Sequence, residues 1–393
     1  MKQITNKISF LIIVSLTMLM GCTSEPGVSV SFDQTSKSLF KGETFSLQLQ
    51  VSQSINSDEV TWACSNESVI SISVQGLTVY VTALADGTAN VTASYRNQTA
   101  ICTINVNVTP DQNGSGENDG YSLVWEDLFD AEILNEEYWN IEVVSHPANS
   151  ELQYYRRENV STGTDSSCWR KCLILTAKKE NYGSRSFTSG RVNTNGKVAY
   201  KHGKVEAMIR FPKTYKGLWP AFWMMGNDYS QVGWPRCGEI DIVEMGNSGG
   251  FQTVDKSERF LNGALHWGYY VDGNYPNYGK SSTYSYSVQD GNYHLFTLLW
   301  DENSVKMYID LDKYPDAKAY YSMDITAPDP MPAEPTWDAG EYFHKDFFIL
   351  FNLAVGGHFP GITKIDAITA LNEENNYEAK MYIDYVKVYQ KAD

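Results

Sequence analysis

The chain has 393 residues, which is longer than one typical domain and predicts two or three domains. Hydrophobic residues make up 42% and aromatic residues 13% of the sequence, enough for packed cores, so general disorder is excluded. The formal net charge of -16 would repel nucleic acid and anionic lipid, and we therefore expect no nucleic-acid partner. The same charge disfavours polyanionic substrates and favours a neutral polymer.

The N-terminus has the pattern of a lipoprotein leader. A short basic start precedes the apolar run SFLIIVSLTMLM, which is too short to span a bilayer and is typical of a signal peptide. The run ends in the letters LMGC, which resemble a bacterial lipobox, so residues 1–22 are predicted to be a leader and Cys22 the lipidated first residue. The alternative is ordinary cleavage that leaves Cys22 as a free thiol. Lipidation predicts that the protein is anchored to the bacterial cell envelope, at the outer membrane or the cell surface. We also expect a monomer.

Five further cysteines follow Cys22, and an exported chain can oxidise them. Their order along the chain suggests that Cys64 bonds Cys102 and that Cys168 bonds Cys172. Cys237 is then left over and is predicted to be a small buried hydrophobic residue. Sequence alone leaves the connectivity open, so these two pairs are a hypothesis.

Residues 27–108 consist of about seven short runs in which apolar and polar residues alternate, with turn residues between them, and this predicts a small β-sandwich. The stretches TWACSNESVISIS and TALADGTANVTASY resemble bacterial immunoglobulin-like modules, and the resemblance implies a spacer. The alternative is a sugar-binding module built on Trp62, although a lone Trp in a strand is usually part of a core. Residues 109–120, rich in Gly, Asn, Asp and Ser, are predicted to be a flexible linker.

Residues 121–393 contain nine of the ten tryptophans and consist mostly of strand-like runs such as KVEAMIRF, HLFTLLW and FFILFNLAV. No long segment has the 3.6-residue apolar period of a helix. We therefore predict an all-β chain in which a larger sandwich of two curved sheets follows the small one. An open groove on a concave sheet would suit a polysaccharide chain better than a closed pocket.

The segment GEIDIVEMG places three carboxylates, Glu239, Asp241 and Glu244, among β-branched residues. Glycoside cleavage needs two carboxyl groups across the scissile bond, one to protonate the leaving oxygen and one to attack the anomeric carbon or activate water. A third acid can hold the pair in opposite protonation states. The alternative interpretation is an amphipathic strand with a solvated acidic edge.

The spacing of these acids predicts an irregular strand. In a regular strand Glu239 and Asp241 share a face, whereas Glu244, five residues after Glu239, faces the other side. Both glutamates serve one groove only if an extra residue, Ile242 or Val243, forms a β-bulge between them. Bulges occur beside active sites, so a catalytic role for this segment requires one here.

Tryptophans flank the acidic segment, in GLWPAFWMMG and WPRCG, and their faces suit stacking on sugar rings, although they could instead fill the core. Together with GALHWG, FNLAVGGHFPG and MYIDYVKVYQ, these segments resemble glycoside hydrolase family 16, in its laminarinase-like branch, over essentially all of residues 121–393. The resemblance implies a concanavalin-like β-jelly roll and hydrolysis with retention. The family motif is Glu-x-Asp-x-x-Glu in this branch, and a form with one residue fewer lacks the bulge.

By that resemblance Glu239 is the nucleophile, Glu244 is the general acid/base, and Asp241 tunes the pair. The family usually has Arg at the position of Met208 and often has Trp at the position of Phe359, so the shape of the sugar subsites is expected to differ here. The expected substrate contacts are Asn149, Glu206, Trp219, Trp223, Trp234 and His266. For His266 the alternative is an imidazole with a purely structural role.

Many members of the family also bind a structural calcium ion between the N- and C-terminal strands of the sandwich. Glu126 and Asp384 are the candidate oxygen ligands, and two ordinary surface acids are the alternative. We expect no cofactor for catalysis, because neither a Cys/His zinc spacing nor a phosphate loop is present in the sequence.

The expected activity is endo-acting, retaining hydrolysis of β-1,3-glucan or mixed-linkage β-1,3-1,4-glucan. A hydrolase of agar- or carrageenan-like galactans is one alternative, but sulfated chains would require clustered Arg and Lys, which the acidic balance disfavours. A non-catalytic glycan-binding lipoprotein is another, and the presence of all three acids argues against it. A transglycosylase, in which a sugar rather than water resolves the intermediate, stays open.

Overall fold

The computed structural model describes residues 28–40, 44–85, 87–107, 120–168, 170–326 and 338–391. The predicted leader with Cys22, and all but the last residue of the predicted linker, lie outside these ranges. Strands predominate within them, as the alternating sequence pattern predicted, and the helices are short. Nowhere in this described part does a helix combine the length and the apolar character needed to cross a membrane.

Two four-stranded sheets around one apolar core form the N-terminal module. Its strands are β1 (Val30–Phe32), β2 (Ser36–Phe40), β3 (Thr44–Val51), β4 (Thr61–Cys64), β5 (Ile70–Gln75), β6 (Thr78–Ala83), β7 (Gly87–Tyr95) and β8 (Gln98–Asn107). The strand orders are β1-β3-β6-β5 and β2-β8-β7-β4. Trp62 packs against the core with its ring 5.9 Å from that of Phe32, so the structure favours a packing role over an exposed sugar platform.

The predicted bond between Cys64 and Cys102 is wrong, because both thiols are free. Cys64 on β4 lies opposite Val91 on β7, and Val91 in turn lies opposite Cys102 on β8. The two cysteines are therefore two strand spacings apart, roughly 10 Å. A disulfide requires about 4.4–6.8 Å between the Cα atoms, so the intervening strand prevents this pairing.

The C-terminal part is a sandwich of two larger sheets. Its strands are β9 (Tyr121–Asp127), β10 (Asn140–Ile141), β11 (Gln153–Tyr155), β12 (Val160–Asp165), β13 (Arg170–Lys178), β14 (Phe187–Ser189), β15 (Arg191–Asn193), β16 (Ala199–Tyr200), β17 (Gly203–Arg210), β18 (Leu218–Gly226), β19 (Glu239–Met245), β20 (Phe260–His266), β21 (Asn277–Thr283), β22 (His294–Trp300), β23 (Ser304–Ile309), β24 (Tyr321–Asp324), β25 (Phe347–Val355) and β26 (Glu378–Lys391). The α-helices are α1 (Tyr229–Val232) and α2 (Val254–Arg259). Single 3₁₀ turns occur in both parts, at Ser57–Glu59, Arg157–Asn159, Gly250–Gln252, Ala339–Glu341, Ile365–Ala367 and Glu373–Asn375.

The eight-stranded sheet has the order β10-β15-β25-β18-β19-β20-β21, with β16 also paired to β25. The ten-stranded sheet has the order β11-β14-β13-β26-β17-β22-β23-β24, with β12 on β13 and β9 on β26. Apolar side chains between the sheets, such as Phe351 of β25 and Ile209 of β17, form one large buried core. We call the surface of the eight-stranded sheet that points away from this core the site face.

The second predicted disulfide is also wrong, since Cys168 and Cys172 are both free. The Cys168 thiol donates to Asp165 Oδ2 at 3.6 Å, and the Cys172 thiol donates to the Gly163 carbonyl at 3.5 Å. Each sulfur therefore has an acceptor of its own instead of the other sulfur. Cys237 is free and fully buried, as the sequence predicted.

Candidate active site

Strand β19 contains the bulge that the spacing of the acids predicted. Between Asp241 and Val243 the register of β18 advances by only one residue, so Ile242 has no partner there. Between Asp241 and Glu244 the register of β20 advances by two residues, so Gly263 alone faces both Ile242 and Val243. One extra residue is thus inserted into β19 relative to both neighbours.

The bulge moves the third acid onto the face of the first two. The apolar residues of β19 are fully buried in the core between the sheets, namely Ile240, Ile242, Val243 and Met245. The remaining three residues, Glu239, Asp241 and Glu244, therefore lie on the site face. The Tyr320 hydroxyl donates a hydrogen bond to the Ile242 carbonyl, which satisfies a backbone acceptor that the bulge displaces from the ladder.

His266 on β20 connects the acids, as its position in the sequence led us to expect. It lies directly opposite Glu239, and its Nε2 is 4.0 Å from Glu239 Oε1. The same Nε2 is 3.1 Å from Asp241 Oδ2. Its Nδ1 is 3.2 Å from the Tyr275 hydroxyl. The imidazole is therefore part of the acid cluster and not a remote structural group.

Glu244 occupies a different environment from Glu239. Its Oε1 accepts a hydrogen bond from Trp219 Nε1 at 2.9 Å, and its Oε2 accepts one from Asn262 Nδ2 at 3.2 Å. The Trp219 ring stacks on Phe359, with ring centroids 5.1 Å apart and an interplanar angle of 21°. Trp219 thus reaches the site as predicted, but its N–H group orients an acid in addition to any stacking role.

Burial raises the pKa of all three carboxyl groups. For Glu239, burial and then the charge of Asp241 raise the pKa to about 8, while His266 opposes this rise. For Asp241, burial and then the charge of Glu244 hold the pKa well above its ordinary value. For Glu244, burial raises the pKa, whereas His266 and the two N–H donors lower it. Because neighbouring carboxylates cannot all ionise in a buried cluster, the site keeps a proton near neutral pH.

The other two predicted tryptophans also lie on the site face. Trp223 donates from Nε1 to Asn352 Oδ1 at 2.7 Å, and the Arg191 guanidinium lies 5.0 Å from the centre of its ring. Trp234 has its ring 4.7 Å from that of Tyr275. Both indoles are half-buried and pack on an apolar cluster formed by Met225, Cys237, Phe348 and Leu350.

Asn149 lies beside Trp219, at the end of the site that contains Glu244. Its backbone has φ 58°, in the left-handed region that Asn tolerates, and its carbonyl accepts the His358 N–H at 2.8 Å. A Cβ on Gly357 would lie 3.0 Å from the Trp219 ring and 3.2 Å from the Asn149 carbonyl oxygen. The absence of a side chain at Gly357 therefore permits this close approach, which agrees with the predicted position of Asn149.

Several residues of the site were not found from the sequence, among them Arg191 and Asn262. Arg191 pairs with Glu142 at 3.2 Å. Burial by itself would lower the pKa of Arg191, but nearby negative charges raise it, from Glu142 and then Tyr155, Glu151 and Glu239. Asn262, which binds Glu244, precedes His266 by four residues on β20. The signal for Asn262 was the two-residue period of a strand, which places it on the same face as His266.

Glu206 does not belong to this site, and its predicted role in the groove is wrong. It lies on β17 in the ten-stranded sheet, opposite Lys387 of β26, with its Oε1 3.7 Å from Lys204 Nζ. Its neighbour Val205 is buried in the core between the sheets. Because side chains alternate along a strand, Glu206 points to the outer surface of the other sheet, away from β19.

Glu126 and Asp384 do not fit the expected calcium site. Glu126 Oε2 is 3.5 Å from Lys387 Nζ, and Asp384 forms an ion pair with Arg170. Calcium takes about 6–8 oxygen ligands, and a carboxylate already paired with a cation is a poor one. A metal site needs several ligand atoms close together. Within the described ranges, one group of at least three His, Cys, Asp or Glu residues has all its ligand atoms within 4.8 Å of one another, and it consists of Glu239, Asp241 and His266.

A model of glycosyl hydrolases family 16 matches residues 151–341, and a model of the bacterial Ig-like domain (group 2) matches residues 28–104. The mixed linkage glucan PUL GH16 structure of Bacteroides ovatus, in complex with G4G4G3G product, is 39% identical with a TM-score of 0.57. That match covers 68% of this chain and 100% of the other. The chain belongs to glycosyl hydrolase family 16. The bulged strand β19 carries the Glu-x-Asp-x-x-Glu motif of family 16 on the site face.

Two curated relatives illustrate the range of family 16 proteins that this chain resembles. The beta-glucanase of Rhodothermus marinus is 30% identical over 277 residues, which covers 69% of this chain and 85% of the relative. The clotting factor G alpha subunit of Tachypleus tridentatus is 30% identical over 275 residues. The chain spans only 34% of the length of that subunit, so the likeness to it is confined to one part of a longer protein.

Proposed function

We propose that this family 16 member is an endo-acting β-glucan hydrolase. Its substrate is β-1,3-glucan or mixed-linkage β-1,3-1,4-glucan, and it retains the anomeric configuration. The observation that carries the proposal is the bulge in β19, because it brings Glu239, Asp241 and Glu244 to one surface. A neutral glucan also agrees with the formal net charge of -16.

The mechanism assigns different tasks to the two glutamates. In the first step the Glu239 carboxylate attacks the anomeric carbon while Glu244 gives its proton to the glycosidic oxygen, which leaves with the bonding electrons. In the second step Glu244, now a carboxylate, takes a proton from water, and that water attacks the anomeric carbon and releases Glu239. The first step leaves Glu244 deprotonated and the second step protonates it again, so Glu244 returns to its starting state after each cycle.

Asp241 and His266 help to keep Glu239 ionised when Glu244 is protonated. Burial and then the charge of Glu244 raise the pKa of Asp241 and favour its protonated form, although its hydrogen bond with Glu239 partly opposes this rise. When the proton shared by the two groups lies on Asp241, that carboxyl group is the donor and stabilises the Glu239 carboxylate, because a donor favours the charged form of its acceptor. His266, opposite Glu239, also favours the ionised nucleophile, because it opposes the rise in the pKa of Glu239 that burial and the charge of Asp241 cause.

The relatives support a β-glucan as substrate. The Bacteroides ovatus structure is named for mixed linkage glucan, and the Rhodothermus marinus relative is a beta-glucanase. The half-buried indoles of Trp219, Trp223 and Trp234 provide apolar faces beside the acids, which suit the CH faces of glucose rings.

A product profile on laminarin, barley mixed-linkage glucan and agarose tests the proposal. The purified chain is compared with Glu239→Gln and with Glu206→Gln, a matched control on the other sheet. We expect oligosaccharides from at least one β-glucan and none from agarose, a loss of several orders of magnitude in Glu239→Gln, and wild-type rates in Glu206→Gln. Normal hydrolysis by Glu239→Gln would contradict the assignment of the nucleophile.

The same profile separates the alternatives. Cleavage of agarose alone would identify a galactan hydrolase, and binding of glucan without any cleavage would identify a non-catalytic glycan-binding protein. Products longer than the starting oligosaccharide would identify a transglycosylase, because a sugar would then have resolved the intermediate in place of water.

We also propose that the chain is a monomeric lipoprotein anchored to the cell envelope, at the outer membrane or the cell surface. The support is the sequence LMGC ending at Cys22, after a basic start and a short apolar run. Growth with labelled palmitate should label the wild-type protein and not Cys22→Ala, and fractionation should move Cys22→Ala from the membrane to the soluble fraction. A membrane-bound, unlabelled wild-type protein would contradict lipidation.

A further inference from the structure

The general acid/base Glu244 has an N–H donor on each carboxylate oxygen. Trp219 supplies one of them and Asn262 the other, at 2.9 Å and 3.2 Å. Asn262 lies directly opposite Glu244 in the ladder between β19 and β20 and is only 8% exposed. This position holds its amide next to Glu244 but leaves little of the side chain accessible to a substrate.

A chain of hydrogen bonds fixes the orientation of the Asn262 amide. Ser281 on β21 lies opposite Asn262, and its hydroxyl donates to Asn262 Oδ1 at 3.0 Å. Asn247, in the loop after β19, donates from Nδ2 to the Ser281 hydroxyl oxygen at 3.3 Å. All three donors therefore point in one direction, from Asn247 through Ser281 and Asn262 to Glu244. Because Ser281 occupies Oδ1, the NH₂ group of Asn262 must face Glu244.

We propose that Asn262, oriented by Ser281 and Asn247, is the positioning residue that aims the Glu244 carboxyl group at the glycosidic oxygen. We call the three residues Asn247, Ser281 and Asn262 the donor relay. This proposal rests on the proposed function, since it assigns a role within the same reaction. The donor relay is separate from the contacts of Glu239, which involve His266 and Asp241.

The donor relay acts on orientation and on protonation together. An amide N–H cannot transfer its proton, so Asn262 only holds the carboxyl group in place and favours its ionised form. Burial works in the opposite direction and raises the pKa of Glu244. Loss of the donor should therefore raise the pKa of Glu244 and allow its carboxyl group to rotate away from the leaving oxygen.

Leaving groups of different quality distinguish positioning of the acid from a structural role. A sugar alkoxide leaves only with help from the acid, whereas 2,4-dinitrophenolate leaves without protonation. A misplaced acid therefore slows the cleavage of glucan and not the cleavage of a dinitrophenyl β-glycoside. A general loss of structure would slow both substrates alike.

The experiment compares wild type, Asn262→Ala, Ser281→Ala and the control Asn303→Ala. Asn303 is exposed in the turn between β22 and β23 of the other sheet. For Asn262→Ala we expect kcat/KM on glucan to fall at least about tenfold, whereas kcat/KM on the dinitrophenyl glycoside stays within about twofold. The high-pH limb of the glucan profile should move up by about one pH unit. Ser281→Ala should change kcat/KM on glucan and the high-pH limb in the same directions but by smaller amounts. Asn303→Ala should change neither quantity.

Equal losses on both substrates, or an unmoved high-pH limb, would overturn the proposal. If Asn262→Ala does not fold, as judged by circular dichroism, Ser281→Ala gives the decisive result, because that residue is exposed. A wild-type protein that hydrolyses no glucan would instead refute the proposed function, so the two failures are distinguishable.

Discussion

Removing the extra residue of β19 should leave the three acids on one face. Deletion of Ile242 changes EIDIVEM to EIDVEM, in which apolar and acidic residues alternate strictly. A regular strand with that pattern keeps Glu239, Asp241 and Glu244 on the site face and the apolar residues in the core. Deletion of Ile240 is the matched control, because it gives EDIVEM and forces Glu239 or Asp241 to face the core.

The cost of the first deletion follows from what Ile242 contacts. Its side chain is fully buried, and loss of such a side chain costs about 2–5 kcal/mol. The buried Tyr320 hydroxyl would also lose its acceptor, at a further cost of about 1–3 kcal/mol. Adding Tyr320→Phe removes this second cost, so the double variant should lose about 2–5 kcal/mol of unfolding free energy. Because domains have about 5–15 kcal/mol of stability, it should stay folded.

Deletion of Ile240 should be far more damaging. A carboxylate buried without a partner costs several kcal/mol, in addition to the lost Ile side chain, and the sum reaches the whole stability of a domain. Urea unfolding and barley-glucan hydrolysis measure both outcomes. The Ile242 deletion with Tyr320→Phe should unfold cooperatively and hydrolyse glucan faster than Glu239→Gln does. Equal loss of folding in the two deletions, or an active Ile240 deletion, would refute this account of the bulge.

Three further predictions follow from single contacts. Trp219→Phe keeps an aromatic ring against Phe359 but removes the N–H that donates to Glu244 at 2.9 Å and lowers its pKa. Since Glu244 must be protonated to act as an acid, the high-pH limb of kcat/KM should move up by about one unit, and an unmoved limb would show that this N–H is not important. Gly263→Ala adds a Cβ that would lie 2.7 Å from Met307 Sδ and 3.1 Å from Tyr321 Cβ. Urea unfolding should therefore show a loss of about 1–3 kcal/mol in the free energy of unfolding. An unchanged midpoint would argue against close packing opposite the bulge. Because the thiols at 64, 102, 168, 172 and 237 are free, a reductant should leave the melting temperature unchanged, and a drop would reveal a disulfide.

Much of the architecture was predictable because strand alternation is a local signal. The apolar–polar pattern predicted two β-sandwiches, and the five-residue spacing of Glu239 and Glu244 required the bulge that the structure contains. The position of His266 also followed from the motif around it. These inferences succeeded because each depends on which face of one strand a residue occupies.

The predictions that were wrong depended on the order of strands in the sheets, which the alternation of apolar and polar residues does not contain. Cys64 and Cys102 were paired by order along the chain, but β7 lies between their strands. The pattern around Glu206 indicated a strand without indicating which sheet contains it. The cation that pairs with Asp384 is Arg170, which is 214 residues away in sequence. Such partners become visible only once the order of strands is known.

Covalent trapping tests the assignment of the nucleophile most directly. A 2-fluoro β-glucosyl oligosaccharide with a dinitrophenolate leaving group should form the glycosyl-enzyme quickly and hydrolyse slowly, because fluorine destabilises the oxocarbenium-like transition state of both steps. Peptide mapping by mass spectrometry should then find one sugar adduct per chain, on Glu239. An adduct on Glu244 or Asp241 would contradict the assignment of Glu239 as the nucleophile. Rapid turnover of the reagent without any adduct would contradict the double-displacement mechanism proposed for this strand.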